Sequence, residues 1–460
     1  MKLFPYILLI CFFTLLSCKK EFLTLVPQSQ ATDVAFYKTT ADINTAVTGA
    51  YSPLQNMYMG TFITMMEARG DNIEDLNPGS NAGTQYNIDR FLAKADNTDI
   101  DGTWASIYNA ISRCNNTLVH MDVVDNAALK SQYTGELKFL RALHYFNIVR
   151  FWGAAPLVLV PTTAAEAKSM GRNSAAELYT AIESDLTEAI AALPVTYTST
   201  DLGRATQGSA KALLGKVYLT EQKYAQAVTL LKDLVSPSNA YSYALLPNVA
   251  DVFSAANKMN AEVIFAVRFN KTIAGEGHGL PTYFNQPGID PKLLSSYSAT
   301  DTRRNLLNTT TLDVNNKPVN KYDDTFDATT QQLGNDFIVL RYADVLLMYA
   351  EAVNETGYTA DAFQYLNAVR TRANATVYTA TDLPDQTSFR NAVLLERRLE
   401  LPLELHRWFD LIRTNTAIAA FQNSGLTPIS IQAYQYLYPI PQTQINITTN
   451  SSGFTQNPGY

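Results

Sequence analysis

Residues 206–235 read TQGSAKALLGKVYLTEQKYAQAVTLLKDLV, and their pattern decides the fold class of the chain. Large and small side chains recur in this stretch at the spacing expected of two paired helices, at Leu214, Gly215, Tyr218, Ala227 and Leu231. The small residues Gly215 and Ala227 allow two helices to approach closely, while the larger side chains fill the space around them. The stretch therefore predicts a tightly packed pair of helices.

A second stretch, residues 342–372, repeats this pattern. Its apolar stripes consist of Ala343, Leu346, Leu347, Ala350 and Val353 in one helix and Ala362, Leu366 and Val369 in the next. Ala350 and Ala362 have the same twelve-residue separation as Gly215 and Ala227, which is the spacing of a tetratricopeptide repeat. About 135 residues separate the two matches, so the repeats are not a tandem array and must carry insertions. Two unrelated helical hairpins are the alternative interpretation.

Four further segments show helical periodicity, and they make helix the dominant element of the chain. These segments are residues 41–59, 104–121, 136–152 and 174–193. The third has apolar residues almost all round, which is typical of a buried helix. The fourth begins with a capping box formed by Ser174 and Glu177 and stops before Pro194. We therefore predict an all-α, mostly helical fold, a tetratricopeptide-like helical-repeat scaffold with long irregular insertions.

The insertions are rich in Asn, Thr, Tyr, Gly and Pro. They comprise residues 74–101, 239–260, 270–291 and 307–335. Long irregular segments in a helical scaffold are usually functional or disordered. Residues 432–460 contain three prolines and are predicted to be extended rather than helical.

The composition excludes one broad class of function. The 42 acidic residues exceed the 35 basic residues, which gives a net charge of -7, whereas nucleic-acid-binding proteins normally carry a basic footprint. A hydrophobic content of 47% beside a charged content of 17% indicates a globular chain with an ample core. The 26 tyrosines suit both a packed core and a hydrated binding surface.

The first seventeen residues are predicted to be a secretory signal peptide. Lys2 precedes an apolar stretch, residues 3–16, that is too short for a membrane-spanning helix. The stretch ends in LLSC (15–18), which resembles the lipobox of bacterial lipoproteins, so Cys18 is expected to become the lipidated mature N-terminus. A signal anchor with an incidental cysteine is the alternative.

This interpretation accounts for all three cysteines. Cys11 is removed with the signal peptide, Cys18 carries lipid, and Cys114 remains without a partner for an intramolecular disulfide. Several acyl chains on one residue hold a protein stably at a membrane. Lys19 follows the cysteine, in place of the Asp that typically retains such proteins at the inner membrane, so we expect the outer membrane.

Several blocks, in this order along the chain, together resemble one protein family. They are FL (22–23), FY (36–37), GAY (49–51), ELKFLRAL (136–143), FWG (151–153), GRAT (203–206), KALLGKVYL (211–219), EVIF (262–265), DTR (301–303), RYADVLLMYAEA (341–352), ERRLEL (396–401), RWFDLIR (407–413), YPIP (438–441) and QNPGY (456–460). The chain resembles the RagB/SusD family of nutrient-uptake lipoproteins over nearly all of residues 18–460. We therefore expect a signal peptide (1–17), a lipidated tether (18–30) and one SusD-like domain (31–460), whose N- and C-terminal parts are 31–235 and 236–460.

The resemblance implies a surface-exposed, non-catalytic outer-membrane lipoprotein with ligand-binding loops on a helical scaffold. The implied ligand is an oligosaccharide or, in some members, a peptide. The implied partner is a TonB-dependent barrel transporter of the SusC type, which the protein covers like a lid. Two positions depart from the family pattern. Leu405 stands where glycine is usual, and Pro402 is expected to kink or end the preceding helix.

No metal, cofactor or catalytic site is predicted. The four histidines are scattered, which argues against zinc. Two groups of acidic residues could coordinate calcium: Asp71, Glu74 and Asp75, and Asp323, Asp324 and Asp327. Solvated acidic loops are the favoured interpretation of both groups. Glu396, Glu400 and Glu404 would share a helix face and could suit a glycosidase, but the neighbouring arginines favour an ion-pair network.

Sugar sites need flat aromatic faces together with amide or charged side chains. In the family, loops in two regions face the ligand, and here they correspond to residues 57–90 and 270–297. The candidate ligand-binding residues are Tyr58, Arg69, Asp71, Asn72, Tyr86, Asn87, Arg90, Tyr283, Phe284 and Asn285. Core packing or a partner contact is the alternative for each aromatic residue. Arg141, Asp344 and Glu351 are instead predicted to be buried, paired charges, since an unpaired buried charge is costly.

The leading hypothesis is a lipoprotein that captures a nutrient oligomer and delivers it to a transporter. A tetratricopeptide-type protein-interaction scaffold, a peptide-binding member of the same family and a lipid-anchored hydrolase are the alternatives.

Overall fold

The predicted hairpin at residues 206–235 is present in the structure, a computed structural model of the chain. It consists of the helices Gln207–Thr220 and Tyr224–Val235. A Cβ atom added to Gly215 would overlap the side chain of Leu231, so a glycine is needed where the two helices approach. Ala227 is fully buried. The hairpin therefore packs as the spacing of its small residues predicts.

The structure describes residues 36–279, 288–307, 320–322, 324–325, 327–448 and 453–460. Within these ranges, sixteen α-helices form most of the regular structure. They are α1 (Thr40–Tyr51), α2 (Pro53–Tyr58), α3 (Thr84–Asp89), α4 (Thr98–Leu118), α5 (Ala127–Trp152), α6 (Ala164–Ser169), α7 (Ala175–Ala192), α8 (Gln207–Thr220), α9 (Tyr224–Val235), α10 (Pro291–Ser296), α11 (Tyr342–Thr356), α12 (Asp361–Arg372), α13 (Gln386–Glu400), α14 (Arg407–Arg413), α15 (Ala417–Asn423) and α16 (Gln442–Ile447). The predicted all-α class is confirmed.

The two predicted repeats pack side by side although they are far apart in the chain. The second repeat forms the hairpin α11–α12, and α11 packs against both α8 and α9 of the first repeat. Ala350 and Ala362 are fully buried, as the common spacing predicts. The two hairpins are thus neighbours in one helical scaffold rather than unrelated elements.

Four short strands accompany the helices in the described part of the chain: β1 (Ile73–Glu74), β2 (Val263–Val267), β3 (Gly288–Ile289) and β4 (Phe337–Arg341). β2 and β4 form an antiparallel ribbon, with Val263 opposite Arg341 and Val267 opposite Phe337. Every residue of this ribbon is buried. Because β4 runs directly into α11 and β2 contacts α8, the ribbon lies between the two repeats.

Some predicted boundaries were wrong. The helix predicted at 136–152 begins earlier, at Ala127, and the helix predicted at 41–59 is divided at Ser52 because Pro53 starts a new helix. Residues 432–460 include the short helix α16, which begins directly after Pro441. Proline is tolerated at the start of a helix, where no backbone N–H is needed, so its presence does not exclude a helix there.

The predicted buried charges are paired. Arg141 donates two hydrogen bonds of 2.8 Å to the carboxylate of Asp185. Lys216 lies 2.7 Å from the carboxylate of Asp344. Glu351 accepts a hydrogen bond of 2.8 Å from Arg413. These pairs link separate helices and thereby restrict how the helices can pack against one another.

The departures at Pro402 and Leu405 have a local explanation. Helix α13 ends at Glu400, so Pro402 follows the helix and does not kink it. Leu405 has φ of +64°, a left-handed conformation that favours glycine. The buried carboxylate of Glu67 accepts hydrogen bonds of 3.0 Å from the backbone N–H groups of Leu403 and Leu405. These bonds hold the turn in place with leucine instead of glycine.

The remaining cysteine is a core residue. The Cys114 thiol is fully buried, and burial raises its pKa to about 12. Cys18 lies outside the described residues, as does the rest of residues 1–35. Among the helices that the structure describes, none combines the length and the apolar character needed to cross a membrane.

Candidate functional site

The two loop regions predicted to face a ligand meet in the structure. Strand β1 lies in the first region and pairs antiparallel with β3 of the second, so that Ile73 is opposite Ile289 and Glu74 is opposite Gly288. The backbone N–H of Asp290 extends the contact by donating a 2.8 Å hydrogen bond to the carbonyl of Asn72. Segments more than 200 residues apart in the sequence therefore share one surface.

Two arginines hold this strand pair through contacts with Asp71 and Asp290, which flank the strands. Arg407, the first residue of α14, donates hydrogen bonds of 2.5 and 2.9 Å to the carboxylate of Asp71. Arg398 of α13 donates bonds of 2.7 Å to both the carbonyl of Asp71 and the carboxylate of Asp290. Burial alone would raise the pKa of Asp71, but the charge of Arg407 outweighs it, and the pKa lies below its ordinary value. Asp71 is thus an ionised structural anchor.

A third segment, which follows α15, joins the strand pair. The carboxylate of Asp290 accepts a 2.8 Å hydrogen bond from the backbone N–H of Gly425. The carboxylate of Glu74 accepts a 2.9 Å bond from the N–H of Thr427 and lies 3.5 Å from Arg90. The loop before α3, the β3 region and the segment at 425–427 are therefore held together by side-chain to backbone bonds.

Three predicted ligand residues lie at the accessible edge of this arrangement. Tyr86 and Asn87 belong to α3 and are half-buried, and Arg90 follows the helix. Arg90 contacts Glu74 and, at 3.4 Å, the carbonyl of Thr427. We call the region formed by Glu74, Tyr86, Asn87, Arg90 and Thr427 the β1–β3 surface. It presents an aromatic ring, an amide and a charged pair within a short stretch of chain.

Four other predicted ligand residues lie inside the protein. They are Tyr58, Arg69, Asp71 and Asn72, each exposed by 4% or less. The Arg69 guanidinium lies 4.0 Å from the centroid of the Phe91 ring and donates hydrogen bonds to the carbonyls of Ile88 and Gln435. The Tyr58 ring packs against Phe62. Arg69, Asp71 and Asn72 thus lie directly beneath the β1–β3 surface, whereas Tyr58 lies in the core, where its ring also contacts Phe337 of β4.

Asp89 differs from the other acidic residues of this region in its raised pKa. Its side chain is 3% exposed and lies 3.8 Å from Arg90, which is shared with Glu74. Burial raises the pKa of Asp89 to about 8, and the neighbouring charges of Asp75 and Glu74 act in the same direction. Asp89 is therefore protonated at neutral pH, in contrast to Asp71.

The remaining three predicted ligand residues, Tyr283, Phe284 and Asn285, lie outside the described residues. Two side chains in the second predicted loop region, those of His278 and Tyr297, are buried. Burial lowers the pKa of His278 to about 4, and its Nε2 donates a 2.8 Å hydrogen bond to the carbonyl of Asn335. The Tyr297 hydroxyl donates a 2.9 Å bond to the carbonyl of Leu399.

The carboxylates that could have suited a glycosidase are occupied by ion pairs. Glu396, Glu400 and Glu404 are exposed by 2% or less. Arg341 lies 2.6 Å from Glu400 and 2.7 Å from Glu404. The charges of several arginines outweigh the effect of burial and hold the pKa of Glu400 well below its ordinary value. Sequence reasoning favoured an ion-pair network, and one is present, but the neighbouring arginines pair with aspartates instead. The partners of the three carboxylates come from distant parts of the chain, and Glu404 lies beyond the end of α13; these partners are Arg303, Lys321, Arg341, Arg370 and Arg372. In the described ranges, no group of three or more His, Cys, Asp or Glu side chains is arranged to hold a metal ion.

The fold and this surface define a helical-repeat protein with a surface assembled from three separate segments, and comparison with known proteins gives its family. Residues 21–219 match the family model described as starch-binding associating with outer membrane, and residues 267–460 match the SusD family model. SusD-like protein P25 of Formosa agariphila is 30% identical to this chain, over 99% of the chain and 98% of that relative. The chain belongs to the SusD family.

Solved structures agree with this assignment. A laminarin binding SusD-like protein is 26% identical, with a TM-score of 0.76 over 92% of this chain and all of that protein. Surface glycan-binding protein A from Bacteroides thetaiotaomicron, in complex with laminarihexaose, shares the fold at 21% identity, with a TM-score of 0.75 over 91% of this chain and 99% of its own.

Sequence reasoning missed the residues that assemble the surface. Arg398, Arg407 and Asp290 bring its three segments together. The two arginines lie within family blocks, but their partners are more than 100 residues away in the chain. Helical spacing relates only neighbouring positions, so it could not predict these pairs.

Proposed function

We propose that this protein is a non-catalytic surface lipoprotein that captures an oligosaccharide at the outer membrane and delivers it to a SusC-like TonB-dependent transporter. The observation that carries the proposal is the pairing of β1 with β3, because it brings both loop regions of the predicted ligand site onto one surface. The relatives described as laminarin binding and as bound to laminarihexaose support an oligosaccharide as the ligand.

The β1–β3 surface offers the chemistry that a sugar requires. The Tyr86 ring supplies an apolar face for the C–H surface of a pyranose, while Asn87 and Arg90 supply hydrogen-bonding groups for its hydroxyls. Tyr283, Phe284 and Asn285 precede β3 in the sequence, and we propose from their residue types that they also contact the ligand. The buried residues Arg69, Asp71 and Asn72 act as its support, and Tyr58 is a core residue.

The state of three carboxylates supports a binding role without hydrolysis. A glycosidase needs an acid that reaches the glycosidic oxygen and a second carboxylate across the bond. Glu396, Glu400 and Glu404 are enclosed and paired with arginine or lysine, so none of them can reach a bound glycan.

Attachment to the membrane rests on the N-terminal sequence. Cys18 is proposed to carry the lipid, and residues 18–30 would tether the helical scaffold to the outer leaflet. The transporter partner is proposed from family membership. Replacing Cys18 with serine is expected to move the protein out of the membrane fraction and to abolish labelling with palmitate. Retention of both properties would contradict lipidation at this residue.

Binding is tested by calorimetry with purified full-length protein in detergent. The titrants are laminarihexaose, maltohexaose, the parent polysaccharides and a set of short peptides. We expect saturable binding of an oligosaccharide and no release of reducing ends during prolonged incubation. Binding of peptides without binding of any glycan would instead favour a peptide-binding member of the family or an interaction scaffold. Delivery is tested by co-purification, in which a β-barrel transporter is expected with the wild-type protein.

A further inference from the structure

A second opening lies apart from the β1–β3 surface. It is a groove of 350 Å³ between the α1–α2 junction, the loop at 200–204, the end of β2 and Glu276. Small-molecule sites usually enclose about 300–1,000 Å³, so its size suits a ligand. No residue of the β1–β3 surface lines this groove.

One wall of the groove is held rigidly by polar contacts. The hydroxyl of Tyr51 donates a 2.7 Å hydrogen bond to Glu136 and accepts a 2.9 Å bond from the N–H of Ala205. Its half-buried ring therefore has a fixed position in the wall. Arg204 lies between Glu136, at 3.2 Å, and Asp201, at 2.9 Å, so its charge is neutralised within the wall.

Another part of the groove lining depends on a glycine. Gly203 has φ of +105°, and an added Cβ atom would lie 2.8 Å from Cγ of Arg268. This close approach lets Arg268 donate a 2.9 Å hydrogen bond to the carbonyl of Leu202. Arg268 also lies 2.7 Å from the carboxylate of Asp336, so the second arginine of the groove is neutralised as well.

Glu276 differs from the other charged residues of the groove. Its carboxylate accepts a 2.8 Å hydrogen bond from the Gln55 amide, which also donates a 3.0 Å bond to the carbonyl of Arg268. Within the described ranges, no lysine or arginine nitrogen lies within 4 Å of this carboxylate. Because a carboxylate has about four lone-pair positions, Glu276 retains capacity to accept hydrogen bonds from a ligand.

We propose that this groove is a second saccharide-binding site, which takes one unit of a neutral glycan. Glu276 accepts hydrogen bonds from hydroxyl groups of the sugar, and the amide of Gln55 orients that carboxylate. Tyr51, Leu54 and the exposed side chain of Leu202 supply apolar contact for the C–H surface. The inference rests on the proposed capture of an oligosaccharide, and two sites on one molecule would retain a polysaccharide longer than either site alone.

The test compares short and long glycans on full-length protein in detergent. Calorimetry with laminarihexaose and maltohexaose is expected to give two sites per wild-type chain and one site in the variant Glu276→Gln. The affinity of that variant for the corresponding polysaccharide is expected to fall about tenfold, as loss of a charge-assisted hydrogen bond implies. Gln55→Ala should act in the same direction. Glu188→Gln, at an exposed carboxylate on α7, is the matched control and should change neither quantity. Thermal melting of each variant verifies folding.

The outcomes separate this inference from the proposed function. Two sites and unchanged affinity in Glu276→Gln would overturn the groove as a saccharide site while leaving the β1–β3 surface intact. Loss of all binding in Glu276→Gln, with no effect of Tyr86→Ala, would support the groove and overturn the β1–β3 surface. Absence of binding to every probe by the wild-type protein would overturn both.

Discussion

The ion-pair network next to α13 and the β1–β3 surface both contain arginines paired with carboxylates. These side chains are buried and closely paired in the network, but partly exposed and less closely paired at the surface. In the network, the Arg341 side chain has no exposed surface and lies within 2.9 Å of each of Glu262, Glu400 and Glu404. At the surface, the Arg90 side chain is 12% exposed, and its contact with Glu74 is 3.5 Å long. The buried arginine is fully occupied by the protein, whereas the accessible arginine retains donors for another molecule.

This difference explains why residue type alone could not distinguish residues that stabilise the scaffold from residues that could bind a ligand. Buried charges must be fully paired because an uncompensated charge in the interior is costly, so they bind helices together but have nothing left for a ligand. Loosely paired groups at an edge contribute little to stability and keep their hydrogen-bonding capacity. Breaking contacts in the two regions should therefore affect different properties.

The largest effect is expected from Arg341→Ala. The change leaves Glu262, Glu400 and Glu404 with less positive charge in a buried site, which should lower the free energy of unfolding by about 5 kcal/mol. Urea denaturation of the full-length protein measures this value. An unchanged midpoint would show that the network does not stabilise the fold.

A smaller loss is expected from Arg141→Ala, because Asp185 is the one carboxylate that loses its main partner, while Asn115 and the carbonyl of Leu159 each lose a neutral hydrogen bond. The free energy of unfolding should fall by about 3 kcal/mol. Glycan affinity, measured below the onset of unfolding, should remain unchanged, since Arg141 lies among α4, α5 and α7. Lost binding at a normal melting temperature would contradict a purely structural role.

Asp89→Asn should increase the free energy of unfolding, in contrast to the two arginine substitutions. The pKa of Asp89 is about 8 in the folded protein and 3.8 in the reference state, so the unfolded chain releases its proton first and wild-type stability falls as pH rises from about 4 to about 8. Asparagine removes this titration. The variant should be similar to the wild type at pH 4 and more stable at pH 8, by up to about 5 kcal/mol. Melting curves across this range test the difference, and a constant offset would refute it.

The smallest effect on stability is expected from Tyr86→Ala, at the accessible edge. Its free energy of unfolding should change by less than about 1 kcal/mol, whereas the affinity for an oligosaccharide should fall about tenfold. Tyr365→Ala, at a half-buried tyrosine on α12, serves as the matched control and should not alter binding. Equal affinities of Tyr86→Ala and wild type would remove this residue from the site.

Sequence reasoning succeeded where a property depends on neighbouring residues. The hairpin at 206–235, its counterpart at 342–372 and the cap at Ser174 follow from helical spacing and local hydrogen bonding. It also anticipated that Arg141, Asp344 and Glu351 would be paired. It could not name their partners, because Asp185, Lys216 and Arg413 come from other helices.

The candidate site was only partly predictable for the same reason. Aromatic, amide and charged residues in a loop satisfy the chemistry of sugar binding whether they face water or the interior. Arg69 and Asp71 proved to be enclosed, while Tyr86, Asn87 and Arg90 remain at the edge. Exposure depends on what packs against each residue, and in this case the packing partners come from the C-terminal region of the chain.

The sequence by itself determined the helical class, the two repeats and the family, since periodicity, small-residue spacing and ordered motifs are properties of the chain. Only the tertiary structure decided that β1 pairs with β3, that Glu67 holds Leu405 in a left-handed conformation, and that a groove forms between Tyr51 and Glu276. Each of these features joins residues distant in the sequence, and their contacts exist only after the helices have packed.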